Sequence, residues 1–154
     1  MQFTKDYQPP TLTVDAVLFQ LNQKKLEVLL IKRSKEPFKD AWALPGGYSA
    51  QGETTEDALA SVVQRKAGVD VSKDLGYIEQ LYTFDTVARD PRGHAVSVTY
   101  MGCGLAIKPA SSSEQTTFFA VDTLPSIAYD HTKIITYARN RLAAKLTYTN
   151  AVYG

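Results

Sequence analysis

Hydrophobic and polar positions change period several times along this chain, and each change marks an element. After the Pro9-Pro10 break, residues 12–21 alternate and predict a strand. Residues 22–25 are turn-like, and the short apolar run 26–32, rich in branched side chains, predicts a buried strand that forms a hairpin with the first. Residues 42–44 read as a short strand running into Pro45-Gly46-Gly47, a turn signal. Over 54–66, Ala58, Leu59, Val62 and Val63 recur at helical spacing. Thr54 with Asp57 three later resembles a capping box, and Gly68 is placed to end that helix in a left-handed turn. Residues 77–87 and 95–107 predict two longer strands joined by a polar turn, 88–94, and 116–121 predict another strand. A long helix follows over 130–146, with Asp130 as N-cap and Ile134, Ile135, Ala138, Leu142 and Leu146 on its inner face. This order predicts an α/β chain: a mixed sheet covered by helices on both sides, an α/β/α sandwich.

Composition narrows the function without naming it. The 154 residues fit one domain with a real core. A formal net charge of +1 excludes a polybasic nucleic-acid binder and leaves room for a local basic groove. The single cysteine, Cys103, rules out an internal disulfide framework, fits a reducing compartment and reads as a small core residue. Residues 1–10 carry no apolar signal-peptide core, and no run approaches the ~18 apolar residues of a membrane span. The expected location is therefore the cytoplasm, with no membrane partner. Residues 110–113 form a short low-complexity surface loop. There is no Gly-rich P-loop, no Cys/His metal spacing and no serine nucleophile elbow.

Gly47, Glu53, Gly68 and Val69 share one spacing. It resembles the Nudix pattern G-x5-E-x7-R-E-U-x-E-E-x-G-U, where U is a bulky apolar residue. Inside it the chain reads Ser61-Val62-Val63-Gln64-Arg65-Lys66, where that family has Arg-Glu-U-x-Glu-Glu. In the family a loop–helix–loop carries glutamates that hold Mg²⁺ or Mn²⁺ against a diphosphate. Hard divalent cations need several carboxylate oxygens, and the metals activate the attacking water. Positions 62, 65 and 66 lie three and four apart on one helical face, and here they carry Val, Arg and Lys. Glu53 alone cannot hold a metal cluster, and Glu56 and Asp57 sit a turn or more too early. The resemblance thus implies a Nudix fold, and the replacements imply that metal-dependent hydrolysis is lost: no catalytic residue, no metal ligand, no cofactor. Arg65 and Lys66 are expected to stand in for the metal, Arg forking onto phosphate oxygens and Lys acting as a point charge. The plain alternative is two solvated cations favoured by the helix dipole.

Leu81-Tyr82-Thr83-Phe84-Asp85, then Ala88-Arg89-Asp90-Pro91-Arg92-Gly93, then Val96-Ser97-Val98-Thr99-Tyr100 narrow the resemblance. They are similar to the ADP-ribose branch of the superfamily, above all to Nudix-related transcriptional regulators of NAD metabolism. In those regulators a winged helix-turn-helix follows the Nudix-like domain. The run 142–150 is similar to the segment leading into it. The resemblance implies an N-terminal extension over 1–11, an effector-binding domain over 12–147, and over 148–154 the start of a linker to a DNA-binding domain absent from this chain. It also implies ADP-ribose or a related nucleoside diphosphate as effector, DNA contacted through the absent domain alone, and a homodimer. The rivals are a Mg-dependent ADP-ribose pyrophosphatase with displaced carboxylates and a partner-binding fold with an empty pocket.

Residues expected to meet the ligand follow from the resemblance. Arg33, between the second strand and the loop into Trp42, is placed to reach a phosphate. Gly46 and Gly47 let the backbone approach the diphosphate and present N–H groups to it. Arg65 and Lys66 face its charge. Arg89, Asp90 and Arg92 share one turn, the arginines toward phosphate or terminal ribose and Asp90 toward ribose hydroxyls. Asp90 otherwise bonds its own backbone in an Asx-Pro turn. Phe84, on the same side of its strand as Tyr82, either stacks on adenine or belongs to the core. Trp42 is read as packing, His94 as a solvated turn residue and His131 as structural.

Overall fold

The computed structural model describes residues 4–153, with side chains to residue 147. Gln23 and Lys24 both take left-handed φ values, 50° and 67°. That two-residue geometry matches strand twist and closes the expected hairpin. It joins β1 (Thr11–Asn22) to β2 (Lys25–Lys32) antiparallel, with Phe19 opposite Val28 and Asn22 opposite Lys25. β3 (Trp42–Ala43) pairs with β2, and β4 (Gly46–Tyr48) pairs antiparallel with β1. Pro45-Gly46-Gly47 is therefore not a tight turn, because both glycines lie in β4. Their lack of a side chain serves close packing: a Cβ on Gly46 would meet Asp15 Oδ1 at 2.1 Å and the Val14 carbonyl at 2.7 Å.

Helix α1 (Thr55–Ala67) starts at Thr54, whose hydroxyl accepts from the Asp57 N–H at 3.1 Å. It ends at Gly68, with φ at 68°. The loop after the next strands is stitched to that end. The Ala110 N–H donates to Gly68 O at 2.8 Å and the Ser113 N–H to Arg65 O at 3.1 Å. A one-turn helix, α2 (Val71–Asp74), capped by Asp70, follows where no element was expected. β5 (Tyr77–Phe84) and β6 (Ala95–Gly104) are antiparallel and each ends three residues short of the sequence expectation. β6 pairs in parallel with β1, Val14 opposite Val98, and β7 (Gln115–Ala120) pairs antiparallel with β2. The mixed sheet runs β3-β2-β1-β6-β5, with β4 and β7 pairing off that path. α3 (His131–Tyr153) closes the fold.

Strand alternation divides the core into two layers. Val14, Ala16, Leu18, Leu29 and Ile31 pack on Leu59, Val62 and Val63 of α1. Val17, Phe19, Val28, Leu30 and Met101 pack on Ile134, Ile135 and Ala138 of α3. The expected sandwich is thus observed. Leu146 departs from it: the packed stretch of α3 ends at Leu142, and Leu146 is exposed. Cys103 is half-buried against the α3 layer, and burial pushes its thiol pKa up. Among the described residues no helix is long and apolar enough to cross a membrane.

Candidate functional site

A cleft of about 490 Å³ opens where β4, the end of α1, the segment after β2, the turn after β5 and the start of α3 converge. It brings together Arg33, Gly46, Gly47, Arg65, Lys66, Arg89, Asp90 and Arg92, all expected from the sequence. Phe84 lies elsewhere. It is buried under α3, its ring 5.3 Å from Tyr82 and 5.6 Å from Tyr137. A β-bulge between Gln80 and Tyr82 resets the alternation, so both Leu81 and Phe84 join the α3 layer. The core alternative for Phe84 is the one the fold realises.

The cations of the cleft differ in how far they are already engaged. Arg89 is buried, and its guanidinium forks onto Asp130 with bonds of 2.9 and 2.8 Å. That takes the Asp130 carboxylate away from capping, although the Asp130 carbonyl still accepts from the Ile134 N–H at 3.1 Å. Arg92 pairs with Asp90 at 2.9 Å, and Asp90 also accepts the Arg92 backbone N–H at 2.9 Å. The Asx-type turn and the ion pair therefore coexist, and Arg92 holds the Asp90 carboxyl below its usual range against the opposing effect of burial. Arg33 donates to the carbonyls of Pro37 at 2.6 Å and Lys35 at 3.3 Å. Its guanidinium lies 5.1 Å from the Tyr129 ring, with Arg92 5.9 Å from the same ring. Tyr129 itself carries a left-handed φ of 55° and was not foreseen in the site.

Lys66 crosses from α1 to β4. Its ammonium donates to the Gly46 carbonyl at 2.6 Å, and burial, then the charge of Arg65 beside it, lowers its pKa. Arg65 is exposed, so the two adjacent cations are not alike. Among the described residues Arg33, Arg65 and Lys66 have no carboxylate within ion-pair distance, which leaves their charge available to an anion. Gly47 is less free than expected. The bonds from Ala16 N–H to Pro45 O and from Ser49 N–H to Leu12 O place Val14 and Gly47 at a hydrogen-bonded position of the ladder, so the Gly47 N–H is used within the sheet.

The floor of the cleft is polar and was the part the sequence concealed. Asp15, Ser97, Thr99 and His131 are the buried polar residues of the described chain. The Ser97 hydroxyl donates to Asp15 Oδ2 at 2.5 Å and lies 2.8 Å from Thr99 Oγ1. His131 Nδ1 accepts the Leu44 N–H at 3.0 Å, which makes His131 structural as expected, and its ring also lines the cleft. Burial raises the Asp15 pKa, with His131 and Ser97 opposing, and burial lowers that of His131. The available signal was Asp15 itself, one acid within Val14-Asp15-Ala16-Val17-Leu18-Phe19.

The divalent cation of the family pattern does not fit these residues. Val62 is 2% exposed and belongs to the α1 core layer. Glu53 accepts from the Ala50 N–H at 2.8 Å in the loop ahead of α1. Lys66 occupies the groove beside Gly46 with a positive charge. Among the described residues no group of three His, Cys, Asp or Glu side chains is placed to hold a metal ion.

Comparison with known proteins identifies the fold family. Residues 9–137 match the NUDIX domain family. The chain is 35% identical over 133 residues to an ADP-ribose pyrophosphatase of Methanocaldococcus jannaschii, covering 84% of this chain and 73% of that protein. It is 34% identical over 150 residues to the ADPR responsive transcriptional repressor NtrR of Acinetobacter baylyi, covering 94% of this chain and 59% of the repressor. Among solved structures, the NUDIX domain of Shewanella oneidensis NrtR complexed with ADP ribose superposes with a TM-score of 0.79 at 34% identity, covering 92% of this chain and 94% of that one.

Proposed function

The chain belongs to the NUDIX family, and on that premise we propose that it binds ADP-ribose without hydrolysing it, as the effector domain of a transcriptional regulator. The observation that carries this reading is the Lys66 ammonium seated on the Gly46 carbonyl, with Arg65 beside it. A bound diphosphate needs compensating charge. A metal held by carboxylates provides that charge together with an activated water. Two cations, Lys66 held on Gly46 and Arg65 exposed beside it, provide the charge alone, so the ligand is held and not cut. The relatives support the ligand. One is named for hydrolysing ADP-ribose, one for responding to it, and the NrtR domain is bound to it. In this reading DNA is contacted by a further domain, the full regulator acts as a homodimer on genes of NAD metabolism, and ligand that weakens DNA binding is itself bound less tightly by the DNA-bound form.

Phosphorus NMR of ADP-ribose mixed with the protein and Mg²⁺, followed over hours, tests the proposal. Shifted or broadened diphosphate signals without new peaks are expected. Appearance of AMP and ribose phosphate makes the protein a hydrolase, and an unchanged spectrum at millimolar ligand removes the effector.

A further inference from the structure

The polar floor of the cleft contains two atoms whose hydrogen-bonding capacity is unspent. Asp15 uses Oδ2 for the Ser97 hydroxyl, and Oδ1 has no hydrogen-bond donor among the described residues. His131 accepts the Leu44 amide at Nδ1, so its proton resides on Nε2. Nε2 stands 3.7 Å from Asp15 Oδ1, too far for a hydrogen bond between them. Both side chains are more than nine-tenths buried, and both residues line the cleft. Gly46 keeps this corner open, since a Cβ there would stand 2.1 Å from the same Oδ1. An acceptor and a donor at this separation accommodate one oxygen about 2.8 Å from each. A ligand hydroxyl satisfies both at once, in the place of a water molecule, donating to the carboxylate and accepting from the imidazole. A phosphate oxygen has no proton for Oδ1 and is repelled by it.

We infer that Asp15 Oδ1 and His131 Nε2–H form a subsite that reads one ribose hydroxyl of the ligand, separate from the cations that take its phosphates. The inference rests on the effector reading above and adds a specificity determinant to it. Ser97, backed by Thr99, is a positioning residue: it turns the Asp15 carboxylate so that Oδ1 faces the cleft. The same hydroxyl discriminates against deoxy ligands, because without it the carboxylate and the imidazole face the bound ligand with no partner on it.

Calorimetric titration of the whole chain with three probes decides the matter. The probes are ADP-ribose, ADP (which lacks the terminal ribose) and ADP-ribose whose adenosine ribose is 2′,3′-dideoxy. One of the two analogues is expected to bind wild-type protein about ten- to a hundredfold more weakly than ADP-ribose. His131→Asn keeps an acceptor for the Leu44 amide and removes the Nε2 donor, and Asp15→Asn removes the charged acceptor. In either variant the penalty for that analogue is expected to shrink to within about threefold, as coupling through one shared hydroxyl requires. Wild type binding all three probes alike overturns the subsite, whether or not the variants fold. A penalty that persists in folded variants places the hydroxyl elsewhere and also overturns it. Wild type binding none of the probes overturns the effector reading and the subsite with it.

Discussion

Replacing Arg89 with alanine is expected to damage stability before it damages binding. The Arg89 side chain is 6% exposed and forks onto Asp130, 21% exposed, through bonds of 2.9 and 2.8 Å. The pair ties the turn after β5 to the first residues of α3, 41 positions away in the chain. Removing one partner of a fully buried pair costs about 3–5 kcal/mol, most of it the stranded charge. Here water reaches Asp130 in part, which softens that penalty, so Arg89→Ala is expected to cost about 2–4 kcal/mol. For a domain of this size that is a fall in Tm on the order of 10 °C. Urea denaturation of Arg89→Ala, Asp130→Asn and the double variant gives the coupling directly. Arg89→Lys should recover part of the loss, because an ammonium makes a point contact where the guanidinium forks. A cost of Arg89→Ala under about 1 kcal/mol would refute the assignment and return Arg89 to the ligand-binding cations.

Other expectations are simpler to state. Lys66→Glu should weaken ADP-ribose binding more than about tenfold, through loss of a charge-assisted contact and introduction of a repulsive carboxylate; an unchanged Kd removes Lys66 from the diphosphate site. Gly46→Ala should lower the urea midpoint by the equivalent of about 1–3 kcal/mol, since its Cβ meets a backbone carbonyl at 2.7 Å that cannot rotate away; an unaltered midpoint would show that β1 and β4 part easily. His131 supplies a pH test. Burial lowers its folded-state pKa below the ordinary 6.5, so on acidification the unfolded chain takes up a proton that the folded one refuses. Wild type should therefore lose stability relative to His131→Asn as pH falls from 6.5 toward the depressed value, by up to about 1.4 kcal/mol per pH unit. A difference that stays constant between about pH 7.5 and 5 would mean that the ring titrates freely.

Elements were legible from period and punctuation, because each strand of the sheet buries a face that its own residues announce. The hairpin at 22–25, the helix ending at Gly68 and the layered core all follow from local pattern. What was not legible depends on contacts distant in sequence. Gly46 and Gly47 read as a turn because a Gly-Gly pair usually is one, and only the approach of Asp15 shows why no side chain fits there. Phe84 read as a possible stacking residue because nothing local reveals the bulge at 80–82. The polar floor joins Asp15, Ser97 and His131 across separations of 82 positions and more. A lone acid in an apolar strand hints at such a network without naming its partners.

The motif positions themselves hold a last test, because the sequence placed 62, 65 and 66 on one ligand-facing surface and the fold divides them. Arg65 is exposed and Lys66 reaches the cleft, whereas Val62 is 2% exposed and sits under Gly47, whose absent Cβ would be 2.9 Å from Val62 Cγ2. Arg65→Glu with Lys66→Glu reverses the groove charge and removes the Lys66 bond to the Gly46 carbonyl, and should cost about 1–3 kcal/mol. Adding Val62→Glu carries a carboxylate into the packed layer between α1 and the sheet and should cost a further 2–5 kcal/mol or about that. A divalent cation would draw that carboxylate toward the groove and restore part of the loss, since ligand bound by the folded state alone stabilises it. Urea titrations of the double and triple variants, with and without Mn²⁺, read each step. Stabilisation of the triple variant by Mn²⁺ would show that α1 retains the placement a metal site needs. A triple variant as stable as the double one without metal would mean that position 62 faces the cleft, and the core assignment of α1 would have to be redrawn.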